Sequence, residues 1–257
     1  MYLCIRTTGK KYVMRILSLT TIFILLLFTS CKKDHKTGQY TLHFQMQLDG
    51  SDVGLNCTYL DTGGVMLKVE LLQFYIANIT FIEADGSETV AEDIALVRFD
   101  DNGSADVTFN VHKGEYEKIK FGIGVPKDLN EADPSNYNDE GNPLNTTEGT
   151  YWGWASMYRF ASIQGRYDLE PDGTYDGTFA YHTGFEDSYR EVTFDNSVKI
   201  EKKGEYTLGF NVDVYKILTN PGNEVDVVNH PNYHGNTADF YLSTMISDNL
   251  RDAISLQ

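Results

Sequence analysis

Positive charge is scarce in this sequence. Its 257 residues hold 21 Lys and Arg against 37 Asp and Glu, which gives a formal net charge of −16 at pH 7. Proteins that bind nucleic acid need basic residues to neutralise phosphates, so the charge balance excludes nucleic acid as a partner. An acidic surface instead favours cations over anions near any cleft.

Several motifs that carry catalysis are also missing. The sequence has no Ser nucleophile elbow, no phosphate-binding glycine loop and no haem-attachment motif. It also lacks the loop that places a His between a Cys and a Met in a blue-copper site. We therefore expect a protein that is not itself an enzyme.

A hydrophobic run near the N-terminus is too short to cross a membrane. Residues 16–28 are mostly apolar, follow a basic stretch without acidic residues, and precede the small pair Thr29-Ser30 and then Cys31. A spanning helix needs about 20 apolar residues. This pattern predicts a bacterial lipoprotein signal peptide, cut before Cys31 and lipid-anchored there, with a plain secretory peptide or an uncleaved anchor as the alternatives.

The signal peptide divides the chain into three parts. Residues 1–30 are the signal peptide, residues 31–39 form a polar tether, and residues 40–257 form one folded domain, which is ample for a sizeable core. The lipid would attach the protein to a membrane of the bacterial cell envelope. We expect the outer membrane, on its periplasmic or surface face.

Cysteine is rare, with three in the whole chain. Cys4 would be removed with the signal peptide and Cys31 would carry lipid. Cys57 then stands alone, so an intramolecular disulfide is excluded. We expect Cys57 to be a buried, inert thiol, and a copper thiolate is the alternative.

The domain is predicted to be all-β. Tyr40 to Leu48 alternates strictly, with Tyr40 and Phe44 on the apolar face and His43 on the polar face. Many further β-rich runs follow, separated by turn signals such as Asp85-Gly86 and Lys203-Gly204. They predict a two-sheet antiparallel β-sandwich. The runs are 65–81, 89–98, 105–111, 116–124, 158–167, 178–183, 190–199 and 206–214.

Two segments interrupt the strand pattern. Residues 126–149 are rich in Asn, Asp, Gly and Pro and almost devoid of apolar residues, so they predict a long inserted loop, a kind of segment that is often functional. Residues 238–256 place apolar residues near helical spacing. We expect a short C-terminal helix packed on the sandwich.

The only two tryptophans, Trp152 and Trp154, flank Gly153 where the long loop ends. In a strand, residues i and i+2 share a face, so the two indoles would stand side by side. Buried aromatic packing is one interpretation. A glycan-stacking platform on a surface binding module and a redox-active pair are the functional ones.

A larger set of motifs resembles the MbnP-like copper-binding family. The resemblance extends from about Tyr40 to the C-terminal region, and its ordered motifs are specific when taken together. They are Gly124-Val125-Pro126 with Asn130, Asp133-Pro134, Trp152-Gly153-Trp154, Tyr158-Arg159-Phe160 and His182-Thr183-Gly184.

The resemblance implies an envelope protein that binds copper. In some relatives a tryptophan is first oxidised to kynurenine by a partner dihaem, peroxidase-like enzyme. Opening an indole in this way yields an aryl amine, and two imidazoles with one such nitrogen would suit Cu(I), which accepts low coordination. Trp152 and Trp154 both match the family's Trp-x-Trp segment, and either is a candidate for the modification.

The histidines supply the candidate ligands. His182 lies in the family-like His-x-Gly segment and His43 on the polar face of the first strand, and these two are preferred. His234 is a further candidate, although Pro231 and Gly235 argue against a helix that would present it together with His230. For each, the alternative is a hydrogen-bonded structural histidine.

Overall fold

The computed structural model of the chain describes residues 36–153, 155–235 and 238–257. The predicted signal peptide, Cys31 and Trp154 therefore lie outside the described residues. None of the helices in the described part has the length and apolar composition needed to cross a bilayer.

Strands make up most of the described chain. Their positions agree with every predicted β-rich run, with ends shifted by a few residues; the first begins at Thr37, within the predicted tether. In chain order they are β1 (Thr37–Leu48), β2 (Ser51–Asp52), β3 (Thr58–Leu60), β4 (Met66–Ile82), β5 (Glu88–Arg98), β6 (Ser104–His112), β7 (Gly114–Ile123), β8 (Tyr151–Trp152), β9 (Met157–Tyr158), β10 (Ala161–Asp168), β11 (Gly177–Thr183), β12 (Arg190–Ile200), β13 (Glu205–Asp213), β14 (Asn223–Glu224), β15 (Asn232–Tyr233) and β16 (Ile254–Leu256).

Most of the strands form two sheets. One has the order β16-β13-β1-β2, with β6 also paired to β1, and the other has the order β12-β7-β4-β10-β11-β15, with β3 and β5 also paired to β4. Strands β8 and β9 form a separate hairpin. The sheets are mixed rather than purely antiparallel as predicted, because β1 runs parallel to β13 and β11 runs parallel to β15.

Aromatic side chains join the two sheets, as expected for a sandwich. Phe44 of β1 stacks on Phe210 of β13, with ring centroids 5.1 Å apart. It also meets Phe74 of β4 edge-on at 5.9 Å and Phe121 of β7 at 6.5 Å. The apolar face predicted for β1 thus points into the core, where Tyr40 and Phe44 are buried.

The outer face of the second sheet carries a smaller core. Tyr75 of β4, Leu144 of the long loop and Tyr158 of β9 are buried there together. The hydroxyl of Tyr158 donates to the Leu144 carbonyl at 2.7 Å, and the hydroxyl of Tyr75 donates to the Pro143 carbonyl at 2.7 Å. The long loop is therefore packed against the sheet, and it carries the short helix α1 (Lys127–Asn130).

Two more helices lie in the C-terminal part. The predicted C-terminal helix is α3 (Phe240–Ala253), which buries Leu242, Ile246 and Leu250. The short helix α2 (Val214–Thr219) was not predicted, although Asp213 caps it by accepting from the Tyr215 N–H. After α3 the chain ends in β16, which pairs with β13.

Candidate metal centre

Strand β11 positions His182 on the outer face of the second sheet. Phe179 and Tyr181 point into the main core, and by alternation His182 points to the other side. The parallel neighbour β15 pairs Tyr233 with Tyr181, so the next residue along, His234, comes to lie beside His182. The Tyr181 hydroxyl donates to the His230 carbonyl at 2.7 Å and fixes the segment that enters β15.

The imidazole rings of His182 and His234 face each other through their Nδ1 atoms. Nδ1 of His182 lies 3.0 Å from Nδ1 of His234, and the ring centroids are 4.7 Å apart. His182 is 6% exposed and His234 is half-buried. At this distance the two nitrogens can share one proton in a hydrogen bond, or they can be neighbouring ligands of one metal ion at about 2 Å from each.

Trp152 borders both rings. Its ring is edge-on to His182, with centroids 4.8 Å apart, and lies 5.4 Å from His234. The hairpin that pairs Trp152 with Met157 brings the indole here. The strand ends at Trp152, and the predicted side-by-side arrangement of the two indoles involves Trp154, which lies outside the described residues.

Burial keeps the histidine pair uncharged. Loss of solvent, together with the nearby Arg159 and His234, lowers the pKa of His182 to about 3. The pKa of His234 is lowered by burial first and then by Arg159. Both imidazoles are neutral at pH 7, which is the form that binds a metal.

Two further polar residues contact His182 at its other nitrogen. The amide nitrogen of Gln164 lies 2.8 Å from Nε2, and the Arg159 guanidinium approaches it to 3.5 Å. A glutamine amide can either donate or accept, so it can support either neutral form of the imidazole. On β10, Ser162 lies directly opposite His182, and its buried hydroxyl has no hydrogen-bond partner among the described residues.

The donor set fits copper. Within the described ranges, no third His, Cys, Asp or Glu joins the pair in a cluster that could hold a metal ion. Neutral imidazoles without carboxylates suit copper rather than Ca²⁺ or Mg²⁺, which need several oxygen ligands. The orphaned hydroxyl of Ser162 is a polar group available beside the pair.

The structure does not bring His43 to this centre, contrary to the sequence-based preference. His43 points outward from β1, in the other sheet, and its Nδ1 lies 2.7 Å from a carboxylate oxygen of Asp106. The alternation of β1 correctly predicted the outward direction. It carried no information about which other side chains share that surface. Of the two preferred histidines, only His182 lies at this centre, and the histidine beside it is His234.

Glycan stacking on Trp152 gains no support from this geometry. The Arg159 guanidinium carbon lies over the Trp152 ring at 5.2 Å from its centroid. Stacking a sugar requires an open aromatic face, and here one face carries a cation and the ring borders two imidazoles. The two-indole platform also needs Trp154, which lies outside the described residues.

Sequence reasoning missed Gln164 and Arg159 as site residues. Arg159 belongs to the Tyr-Arg-Phe motif, which gave a weak signal. Gln164 and Ser162 share one face of β10, so the pairing of β10 with β11 places Gln164 diagonally across from His182. The pairing of β10 with β4 has a β-bulge between Gln164 and Gly165. Bulges change the direction of nearby side chains and are common next to functional sites.

Comparisons with known proteins show the family and the fold. The sequence model of the MbnP family matches residues 37–237, a range that contains Trp152, Arg159, Gln164, His182 and His234. The chain is also similar in fold to the solved structure of MbnP from Methylosinus trichosporium, with a TM-score of 0.51 and 20% sequence identity. That match covers 72% of this chain and 78% of the other. No curated protein matches the chain.

Proposed function

The chain belongs to the MbnP family, and from that premise we propose that it binds copper between His182 and His234, beside the Trp152 indole. The observation that carries the proposal is the 3.0 Å approach of two imidazole nitrogens that are both neutral at pH 7. In the metal-free protein one Nδ1 carries a hydrogen and donates it to the other. With the ring hydrogens on the two Nε2 atoms, both Nδ1 lone pairs become available as neighbouring ligands of one metal ion. Copper would supply a soft acceptor there, with Cu(I) favoured because it accepts few ligands.

We propose that Trp152 is the tryptophan that is modified. A partner haem enzyme would supply the oxidant that cleaves its indole to N-formylkynurenine, and hydrolysis would release the lost carbon as formate and leave kynurenine, whose aryl amine is a further nitrogen donor. The proposal is supported by the indole's edge-on position against both imidazoles. The ring that would carry the amine lies 4.8 Å from the His182 ring and 5.4 Å from the His234 ring, measured between centroids.

Intact and peptide mass measurements test the modification. Protein made beside its native partner genes should show the loss of one carbon and the gain of one oxygen on the peptide that contains Trp152. The Trp152→Phe variant should lose that change and the Trp154→Phe variant should keep it. An unmodified Trp152 in the wild-type protein, or modification of Trp154 instead, would refute this part while leaving copper binding by the histidines untouched.

We further propose a binding role in the bacterial envelope rather than catalysis. The lipid on Cys31 would hold the domain at the membrane, where it meets copper and the modifying enzyme. No nucleophile or acid–base pair is involved in this role. The site residues bind and shield the ion.

Titration with Cu(I) against a competing chelator tests copper binding. We expect the wild-type protein to take copper from the chelator, and His182→Ala and His234→Ala each to weaken binding by at least about tenfold, since each removes one donor. His43→Ala is the matched control, because it removes an imidazole from the other sheet. Wild-type protein that takes no copper, or a His43→Ala loss equal to those of the other two, would overturn the assignment.

A further inference from the structure

Arg159 is held against the proposed copper centre. It follows β9, and its backbone N–H donates to the Thr150 carbonyl at 2.9 Å. Its guanidinium lies over the Trp152 ring and approaches Nε2 of His182 to 3.5 Å. The side chain is therefore fixed from two sides, by an aromatic face and by an imidazole.

Other arginines in the described part are paired with carboxylates, and Arg159 differs from them. Arg98 pairs with Glu148, Arg166 with Glu70, and Arg190 with Asp248. The Nε of Arg159, by contrast, is buried without a hydrogen-bond partner among the described residues. Its positive charge is thus not cancelled by a bound acid.

The centre therefore combines neutral donors with one fixed positive charge. No Asp, Glu or Cys joins the two histidines within the described ranges to offset it. Imidazole alone does not discriminate among metals, because it binds Zn²⁺ and Cu²⁺ as well as Cu(I). Something other than ligand type must supply any preference for the monovalent ion.

A nearby fixed charge supplies such a preference. The repulsion between a cation and a bound metal ion is proportional to the charge of the ion, so a divalent ion is opposed twice as strongly as a monovalent one. We propose that Arg159 makes the His182–His234 centre selective for Cu(I) over divalent ions. This inference rests on the proposed function, since it presupposes that the two histidines bind copper.

The test compares Cu(I) and Zn²⁺ affinities of the same purified proteins. Arg159→Gln removes the charge and Arg159→Lys keeps it. Arg166→Gln is the matched control, since it removes a charge from β10 that is already paired with Glu70. We expect Arg159→Gln to raise the Zn²⁺ affinity relative to the Cu(I) affinity by roughly tenfold, a value reduced from the unscreened one because Arg159 is partly exposed.

The outcomes separate the two proposals. An unchanged affinity ratio in Arg159→Gln, or an equal change in Arg159→Lys, would overturn the role of the charge while copper binding itself stands. Wild-type protein without Cu(I) binding would refute the proposed function first. If Arg159→Gln does not fold, Arg159→Met takes its place, because it also removes the charge while keeping a long side chain, and an unchanged affinity ratio in that variant contradicts the proposal.

Discussion

His234 lies beside His182 because β15 runs parallel to β11 and pairs Tyr233 with Tyr181. The next residue of each strand then projects to the outer face of the sheet, and the two Nδ1 atoms meet at 3.0 Å. Without a metal, one imidazole must donate an N–H to the other. In the proposed copper-bound form that proton would move to the Nε2 atom of the same ring, so that both rings stay neutral and both Nδ1 atoms can bind the ion.

The low pKa of His182 makes the stability of the metal-free protein depend on pH. The folded-state pKa is about 3, below the ordinary value of 6.5 that applies in the unfolded chain. Between pH 3 and pH 6.5 this histidine is protonated in the unfolded chain but not in the folded protein. Its contribution to the free energy of unfolding is therefore constant above pH 6.5 and is lost as the pH falls toward 3. Replacing His182 by Gln should remove that contribution, on the order of 2 kcal/mol.

Urea unfolding of the wild-type protein and of His182→Gln at pH 7 and pH 4 measures this effect. The wild-type free energy of unfolding should fall more between the two pH values than that of the variant. Carboxylates that titrate in the same range affect both proteins equally and cancel in the difference. Equal losses in the two proteins would contradict the buried, neutral state of His182.

Gln164 should matter to copper affinity although it is not a ligand in the proposed site. It contacts the Nε2 atom of His182 and so fixes the ring orientation that aims Nδ1 at His234. Residues that hold a metal-binding histidine in this way typically change affinity by about 10 to 100-fold when replaced. We expect Gln164→Leu to weaken Cu(I) binding within that range.

Two variants control the Gln164 experiment. Gln164→Glu keeps an acceptor for the Nε2 hydrogen and should retain most of the affinity. Gln47→Leu replaces a glutamine of the first sheet, where it donates to Asp52, and should leave the affinity unchanged. Full Cu(I) affinity in Gln164→Leu would show that packing alone orients His182.

From the sequence, His182 was a preferred ligand and His234 only a further candidate, and this difference has a physical reason. His182 and Trp152 stand in recognisable short motifs, and such motifs are visible in one chain. The partnership of His182 with His234 depends on parallel pairing between strands about 50 residues apart in the chain, and no local pattern encodes it. His43 was preferred on the direction of its side chain alone, and direction is only one of the conditions for sharing a site.

For the fold, too, the sequence predicted local features of single strands but not how distant strands pair. The period-two alternation of β1 predicted its buried face residue by residue, because one face of that strand meets the core. It could not reveal that β1 runs parallel to β13, since both orientations bury the same residues. The helix α2 was missed because its six residues are too few for a helical period to emerge.

The aromatic junction around Phe44 should dominate the stability of the sandwich. Phe44 is fully buried and contacts Phe210 in its own sheet and Phe74 and Phe121 in the other. Phe44→Ala should lower the free energy of unfolding by about 3 to 5 kcal/mol, through lost burial and the cavity left behind. Denaturant unfolding measures it, with the exposed Val90→Ala as a control expected to change stability by less than about 0.5 kcal/mol.

The proposed lipid anchor depends on Cys31. In cells, Cys31→Ser should prevent lipid attachment, so the protein should leave the membrane fraction and no longer incorporate labelled fatty acid. Cys57→Ser is the matched control, because this half-buried cysteine lies within the folded domain. Equal membrane association of wild-type protein and Cys31→Ser would mean that another segment provides the attachment.

In protein made without the partner enzyme, where Trp152 keeps its indole, tryptophan fluorescence gives a direct readout of copper at the histidine pair. The chain has two tryptophans, so Trp154→Phe leaves Trp152 as the sole indole emitter. Because the Trp152 ring lies 4.8 Å from His182 and 5.4 Å from His234, copper bound between these imidazoles should quench its emission with one equivalent of metal. The quenching should disappear in Trp154→Phe/His234→Ala and persist in Trp154→Phe/His43→Ala. Copper bound with unchanged Trp152 emission would place the metal elsewhere in the protein, and the assignment to His182 and His234 would then be wrong even though the protein binds copper.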